Sequence, residues 1–105
     1  MRHQMKLQQS PFEKIKEGTK TIEIRLNDEK RQLLKIGDEI EFVSLQNPEQ
    51  IIVTEVIEII TFSNFKELFS QLPPNEYGGG VSSDMYKYYT QEDESRFGVL
   101  GIKLR

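Results

Sequence analysis

The sequence contains no cysteine and only one histidine, and these two shortages exclude several kinds of chemistry. Without cysteine there can be no disulfide framework and no thiolate ligand for a metal ion. His3 has no second histidine to work with, and a lone histidine near a terminus is usually structural or exposed to solvent. We therefore expect no transition-metal site, no cofactor and no Ser-His-Asp triad.

The sequence also lacks any long apolar run. No segment approaches the roughly 20 residues that span a bilayer, and Arg2 is not followed by the apolar segment of a signal peptide. We expect no membrane partner and a cytoplasmic location. The chain of 105 residues has 36% hydrophobic and 30% charged residues, which is typical of a single domain, here spanning residues 1–105. A monomer is the default expectation.

A basic excess, which general nucleic-acid binders usually carry, is missing as well, because the net charge is −3. The charge is nevertheless uneven along the chain. Residues 1–40 carry a net charge of +2, and residues 41–105 carry a net charge of −5. We expect any anion site in the N-terminal part, and we expect the acidic remainder to oppose extensive contact with a nucleic-acid duplex.

The hydrophobic periodicity predicts short strands separated by short helices. Strands are predicted over residues 3–8, 20–26, 38–45, 50–62 and 97–104, and helices over 11–17 and 63–72 and from residue 82 onwards. Ser10 is predicted to cap the first helix, with Pro11 at its first position, and residues 91–94 are predicted to form an acidic turn. Five or six mainly antiparallel strands with two or three short helices favour a small α+β barrel.

Three consecutive glycines, Gly78 to Gly80, form the most flexible part of the sequence. They are not a P-loop, because no Lys-Ser or Lys-Thr pair follows them. Glycines in series indicate a tight turn or a close approach of the backbone to another group. A mobile flap over a pocket and a simple connecting loop both remain open.

The segment from Gly18 to Arg25 brings together an acid and two bases. Since side chains alternate along a strand, Ile22 and Ile24 are expected to face the core while Glu23 and Arg25 share the opposite face. Lys20 stands at the start of the same strand. The alternative to a functional site is a solvated strand face with one weak ion pair.

The pattern Gly-x-Lys-x-x-Glu-x-Arg in this segment resembles the signature of the ASCH domains, which belong to the PUA-like superfamily. Four further segments resemble that family in its order: His3–Leu7, Phe12–Gly18, Gly37–Phe42 and Phe97–Ile102. The resemblance thus covers nearly the whole chain. It implies a small PUA-like β-barrel, with the signature strand lining a cleft in which Lys20, Glu23 and Arg25 lie.

Many ASCH domains with a glutamate at the position of Glu23 are thought to bind RNA or DNA through this cleft. The resemblance therefore implies a module that binds nucleic acid, RNA above all, or a nucleotide or nucleoside. The implied ligand-binding residues are Gly18, Lys20, Glu23, Arg25 and Tyr88. The two cations would contact phosphate, Glu23 would accept from a base amino group, and a base would stack on one of the tyrosines, Tyr77, Tyr86, Tyr88 or Tyr89. For the tyrosines, packing in the core is the alternative.

Some small bacterial ASCH proteins are instead amidohydrolases that remove the acetyl group from N-acetylcytidine. Their signature strand carries a threonine where this chain has Glu23, and their third catalytic residue is a glutamate on the helix before the last strand. Counting back from the closing strand places that residue at Asp84. The implied catalytic set is Lys20 as nucleophile or base, with Glu23 or Asp84 as the proton carrier. A third possibility is a non-catalytic interaction domain.

Overall fold

The computed structural model describes residues 1–105 as a five-stranded sheet with four short helices. The strands are β1 (Arg2–Leu7), β2 (Ile22–Leu26), β3 (Glu39–Ser44), β4 (Ile51–Phe62) and β5 (Val99–Leu104), and the helices are α1 (Gln9–Glu17), α2 (Phe65–Gln71), α3 (Pro74–Tyr77) and α4 (Gln91–Phe97). Two 3₁₀ turns cover Arg31–Leu33 and Ser82–Lys87. The predicted α+β class is confirmed, with four helices instead of two or three. None of the helices is long and apolar enough to span a membrane.

The sheet is a strongly curled half-barrel with the strand order β1-β3-β4-β5-β2. β1 runs parallel to β3, and every other neighbouring pair is antiparallel. β4 pairs with β3 through its first half and with β5 through its second half, and a register shift between Val56 and Glu58 interrupts the pairing with β5. Such a bulge bends β4 and lets the sheet curl.

Two apolar cores pack against the curled sheet. The first joins α1 to strands β1, β3, β4 and β5, and the second lies between β2, α2 and α3. β5 serves both, because Leu100 and Ile102 belong to the first core and Val99 belongs to the second. In β3 the buried positions are Ile40, Phe42 and Ser44, as their alternation predicted. The second core supports β2 from one side and leaves its other side for the site.

The prediction for the start of α1 was wrong. Gln8 occupies the N-cap position without a capping bond from its side chain, so Ser10 and Pro11 lie inside the first turn of the helix. Proline is tolerated there because the first N–H groups of a helix have no partner within the helix. The predicted end is confirmed, since Gly18 adopts the left-handed conformation with φ 84° and its N–H bonds to the last turn.

The acidic turn predicted at residues 91–94 is also wrong, because these residues begin α4. The Thr90 hydroxyl accepts from the Asp93 N–H at 3.1 Å, and three acidic residues follow in the first turn. Acidic side chains at a helix N-terminus are favourable, so the same charges that suggested a turn stabilise a helix. The helix predicted from residue 82 is instead the second 3₁₀ turn.

Candidate functional site

A cleft of about 600 Å³ opens beside β2. The end of β1, helix α1, strand β2, the glycine run and the second 3₁₀ turn all contribute to its walls. The expected residues Lys20, Glu23, Arg25, Asp84 and Tyr88 line it. Gly18 does not line the cleft, and its contribution is to end α1 so that the chain turns into β2.

Glu23 lies at the centre of a buried ion-pair cluster. Its side chain is only 5% exposed, and the alternation of β2 points it away from the core formed by Ile22 and Ile24. Its Oε1 is 3.0 Å from Lys20 Nζ, and its Oε2 is 2.7 Å from Arg25 Nε. The three side chains therefore meet as their spacing predicted, and they meet in a buried place instead of on a solvated strand face.

The charges of this cluster are fixed by mutual interaction. Burial by itself would raise the pKa of the Glu23 carboxyl, but Arg25 and Lys20 outweigh burial and hold that pKa below its ordinary value. Burial by itself would likewise lower the pKa of Arg25, but the Glu23 carboxylate, with the Tyr89 hydroxyl, raises it. Both partners are consequently charged at neutral pH.

Arg25 also connects the two edge strands of the sheet. Its Nη2 donates to the backbone carbonyl of Lys6 at 2.9 Å, near the end of β1. β1 and β2 stand at opposite ends of the strand order, so this bond bridges the open side of the half-barrel. Arg25 is thereby held in one orientation by Glu23 and the Lys6 carbonyl.

The glycine run forms one wall of the cleft and passes close to two of the site residues. Gly78, Gly79 and Gly80 all have positive φ, between 77° and 95°. A Cβ on Gly80 would lie 3.0 Å from Asp84 Oδ2, and one on Gly78 would lie 3.6 Å from Lys20 Cδ. The positive φ explains all three glycines, because other residues rarely adopt it, and at Gly80 the close approach of Asp84 adds a steric reason.

Asp84 lies on the 3₁₀ turn, whereas the helix that precedes the last strand is α4. The carboxylate of Asp84 accepts from the Val81 N–H at 3.1 Å and so fixes the start of its own turn. Asp84 and Glu23 line the same cleft. Helix α4 itself carries a buried carboxylate, Glu94, which lies outside the cleft and accepts from the Phe65 N–H and the Tyr86 hydroxyl, each at 2.7 Å.

Of the four tyrosines, Tyr88 is the one exposed at the cleft. Its exposed fraction is 64%. Tyr89 stacks on Phe65 with ring centroids 5.7 Å apart, and Tyr77 packs in the second core. Tyr86 donates its hydroxyl to Glu94. Contacts within the protein therefore explain the positions of Tyr77, Tyr86 and Tyr89. Tyr88 presents an aromatic surface to the cleft.

Two further cations in the cleft escaped the sequence interpretation. Lys6, from β1, and Lys14, from α1, line it, and neither has a carboxylate within 4.0 Å. With Lys20 and Arg25 against Glu23 and Asp84, the lining carries a formal excess of two positive charges. No three histidine, aspartate or glutamate side chains come together in a way that could hold a metal ion.

Comparison with known proteins identifies the fold family. The model of the ASCH domain matches residues 5–105. The crystal structure of hypothetical protein PH0355 is 32% identical and superposes with a TM-score of 0.87, covering 100% of this chain and 98% of that one. The solution structure of protein PF0455 from Pyrococcus furiosus is 31% identical with a TM-score of 0.77, covering 100% and 96%.

A more distant match is the crystal structure of ASCH from Zymomonas mobilis. It is 14% identical with a TM-score of 0.62 and covers 99% of this chain and 66% of that one, so it supports the fold alone. No curated protein matches the chain. The family model spans nearly every residue, and two structures above 30% identity align from end to end. The chain therefore belongs to the ASCH domain family.

Proposed function

We propose that the cleft binds a nucleotide unit of a short single-stranded nucleic acid, RNA in the first place. The observation that carries this proposal is the exposed ring of Tyr88 at the same cleft as the fixed Lys20–Glu23–Arg25 cluster. Single-stranded RNA is recognised by stacking its bases on aromatic rings and bonding their edges to polar groups. Membership of the ASCH family supports the same function.

Each group in the cleft has hydrogen-bonding capacity left for a ligand. An arginine has five N–H donors, and Glu23 and the Lys6 carbonyl take one each from Arg25. Lys20 has three donors, of which one points to Glu23. The Glu23 oxygens retain lone pairs that can accept from the amino group of a base. A base stacked on Tyr88 would thus meet both donors and an acceptor along its edge.

The charge distribution favours a short ligand over a duplex. The cleft has two excess positive charges, whereas the whole chain has a net charge of −3. An anionic strand is attracted to the cleft and repelled by the net negative charge of the rest of the chain. The cavity of about 600 Å³ lies within the range of roughly 300–1,000 Å³ that is usual for small-ligand sites.

An NMR titration of isotope-labelled protein with nucleotides and a pool of short single-stranded RNAs tests this proposal. We expect shifts concentrated at residues 20–25 and 84–89. Tyr88→Ala should weaken RNA binding about tenfold, because stacking contributes roughly 1–3 kcal/mol per base. Ile36→Ala, which shortens another exposed apolar side chain outside the cleft, is the matched control. Equal effects of the two substitutions, or no shifts in the cleft, would refute the proposal.

A second candidate is the hydrolysis of an acetylated nucleoside such as N-acetylcytidine. The specific observation in its favour is that Lys20, Glu23 and Asp84 line one cleft. Water would add to the acetyl carbon, the C–N bond would break, the base amine would leave with a proton taken from the water, and the acetyl group would be released as acetate. In this step Lys20 would act as the base that takes a proton from the water, and Glu23 or Asp84 would carry a proton to the amine.

The hydrolysis is tested by incubating the protein with N-acetylcytidine and following acetate by proton NMR. Turnover that disappears in Lys20→Ala and persists in Lys16→Ala would establish the activity, because Lys16 lies on α1 outside the cleft. No acetate, or equal rates in the two variants, would remove this candidate and leave binding as the function of the cleft.

A further inference from the structure

A second cavity adjoins the cleft behind the glycine run. It measures about 370 Å³ and is open to solvent. Its lining consists of Lys14, Thr19, Pro74, Asn75, Gly78 and Gly79. Lys14, Gly78 and Gly79 also line the main cleft, so the two cavities share one wall and one cation. We call the second cavity the side pocket.

The side pocket differs from the cleft in chemistry. No acidic side chain lines it, and the ammonium group of Lys14 is its one charge. Lys14 has no carboxylate within 4.0 Å, whereas the neighbouring Lys20 is already paired with Glu23. The Asn75 amide lies at the same surface and can donate as well. A cation without an acidic partner, set among small polar groups, suits an anion.

The shared wall brings the two lysines together. A Cβ on Gly78 would lie 3.6 Å from Lys20 Cδ and 3.9 Å from Lys14 Cδ, so the two stems run past the same glycine. Lys20 is paired with Glu23 in the buried cluster, and Lys14 lines the side pocket. A ligand that binds beside Lys20 can therefore contact Lys14 with an adjoining chemical group.

We infer that the side pocket holds a phosphate group of the ligand whose base occupies the cleft. This inference rests on the proposed function and adds to it: the ligand is a nucleotide or phosphodiester, and an uncharged nucleoside binds less tightly. The base lies against Tyr88 and the Lys20–Glu23–Arg25 cluster, because these groups offer a ring face and base-edge partners. The phosphate lies against Lys14, with the Asn75 amide as a further donor.

The test compares matched ligands on matched proteins by NMR titration. The probes are the four ribonucleosides and their 5′- and 3′-monophosphates, applied to the unaltered protein, Lys14→Gln and Lys16→Gln. Lys14 and Lys16 are both exposed lysines of α1, but only Lys14 lines the two cavities. The amide spectra show directly that each variant is folded.

We expect at least one monophosphate to bind the unaltered protein about tenfold more tightly than its nucleoside, as a charge-assisted hydrogen bond would produce. Lys14→Gln should abolish this preference, while Lys16→Gln should keep it. Equal binding of nucleosides and monophosphates, or equal behaviour of the two variants, would overturn the phosphate site and leave the proposed function standing. Binding of no probe and no short RNA would overturn both.

Discussion

Glu23 shows how a single residue can tie stability and binding together. Its carboxylate is buried between Lys20 and Arg25, where each ion has given up most of its hydration. Such a cluster is a weak source of net stability, but removal of one member leaves an uncompensated charge in a place that water reaches poorly. The side chains that would meet the ligand are thus also those whose loss the fold tolerates least.

Replacement of Arg25 by methionine should therefore destabilise the protein strongly. We expect Arg25→Met to lower the free energy of unfolding by roughly 3 kcal/mol, measured by urea denaturation, because Glu23 keeps only one of its two partners. Arg105→Met is the control: the Arg105–Glu55 pair has the same distance of 2.7 Å but is exposed, so its loss should cost less than about 1 kcal/mol. Similar losses of unfolding free energy in both variants would show that the Glu23 cluster behaves like an exposed ion pair.

The lowered pKa of Glu23 predicts a specific dependence of stability on pH. A carboxyl with a lower pKa in the folded than in the unfolded state stabilises the fold above its unfolded value, about 4.3, and loses this contribution as the pH falls through the folded value. Urea unfolding of the unaltered protein and Glu23→Gln should therefore give a constant difference between about pH 6 and 8 that shrinks towards about pH 3. The contribution of Asp38, whose pKa is lowered chiefly by its hydrogen bond with His3, is common to both proteins. A difference that is independent of pH would contradict the assignment.

At this scale the sequence was informative about geometry and uninformative about burial. The two-residue period of a strand sufficed to predict that Glu23 and Arg25 share a face with Lys20 beside them. Their burial depends on the glycine run and the second 3₁₀ turn, which come more than fifty residues later in the chain. The roles of Lys6 and Lys14 depend on how β1 and α1 dock beside β2, and no local pattern reports such docking.

Among the elements, α2, α4 and the second 3₁₀ turn are held together by one buried carboxylate. Glu94 of α4 accepts from the backbone N–H of Phe65, at the start of α2, and from the hydroxyl of Tyr86 in the turn. Phe65 in turn stacks with Tyr89 and meets Tyr86 edge-on. The wall of the cleft that carries Tyr88 is therefore positioned by a residue that does not line the cleft.

Removal of this carboxylate should loosen the wall and leave two donors without partners. We expect Glu94→Ala to lower the free energy of unfolding by about 1–3 kcal/mol and to speed hydrogen exchange at the Phe65 amide. Glu92→Ala, on the exposed side of the same helix, should change stability by less than about 0.5 kcal/mol. Unchanged exchange at Phe65 in Glu94→Ala would show that the hydrogen bond does not hold the start of α2.

Hydrophobic periodicity predicted some of the helices and strands and missed others. The alternation of β3 and the helical spacing in α2 reflect a single apolar face each, so the sequence predicted both. α4 has seven residues and begins with a run of acids, so its sequence also fits a turn, and its burial rests mainly on Glu94. A polar residue that is buried through partners elsewhere in the chain gives no hydrophobic signal.

For the whole molecule, the distribution of charge matters more than the total. The acidic net charge should restrict nucleic-acid binding to the cleft, where Lys6 and Lys14 are the cations without acidic partners. The overall α+β class and the mainly antiparallel sheet followed from the sequence. The parallel pairing of β1 with β3 did not, because it joins strands distant in the chain and no residue pattern specifies it.

Salt should therefore weaken binding only gently. Two released counterions predict a slope of about −1.4 for the logarithm of the association constant of a short single-stranded RNA against the logarithm of the salt concentration. Fluorescence anisotropy across a range of salt concentrations measures this slope, and duplex RNA of the same length is the control, expected to bind more weakly. A slope several times steeper would mean that the ligand contacts a wide surface beyond the cleft.

The bond from Arg25 to the Lys6 carbonyl has a consequence for motion. It fastens the two edges of an incompletely closed sheet, and it belongs to a residue that would also grip the ligand. A ligand that pulls the guanidinium away from the Lys6 carbonyl would break this hydrogen bond and release β1. A ligand that leaves the bond intact would restrict the motion of β1 further. The motion of β1 would then depend on whether a ligand is bound at β2, on the opposite edge of the sheet. Ligand binding and the closure of the half-barrel would be coupled in this small domain.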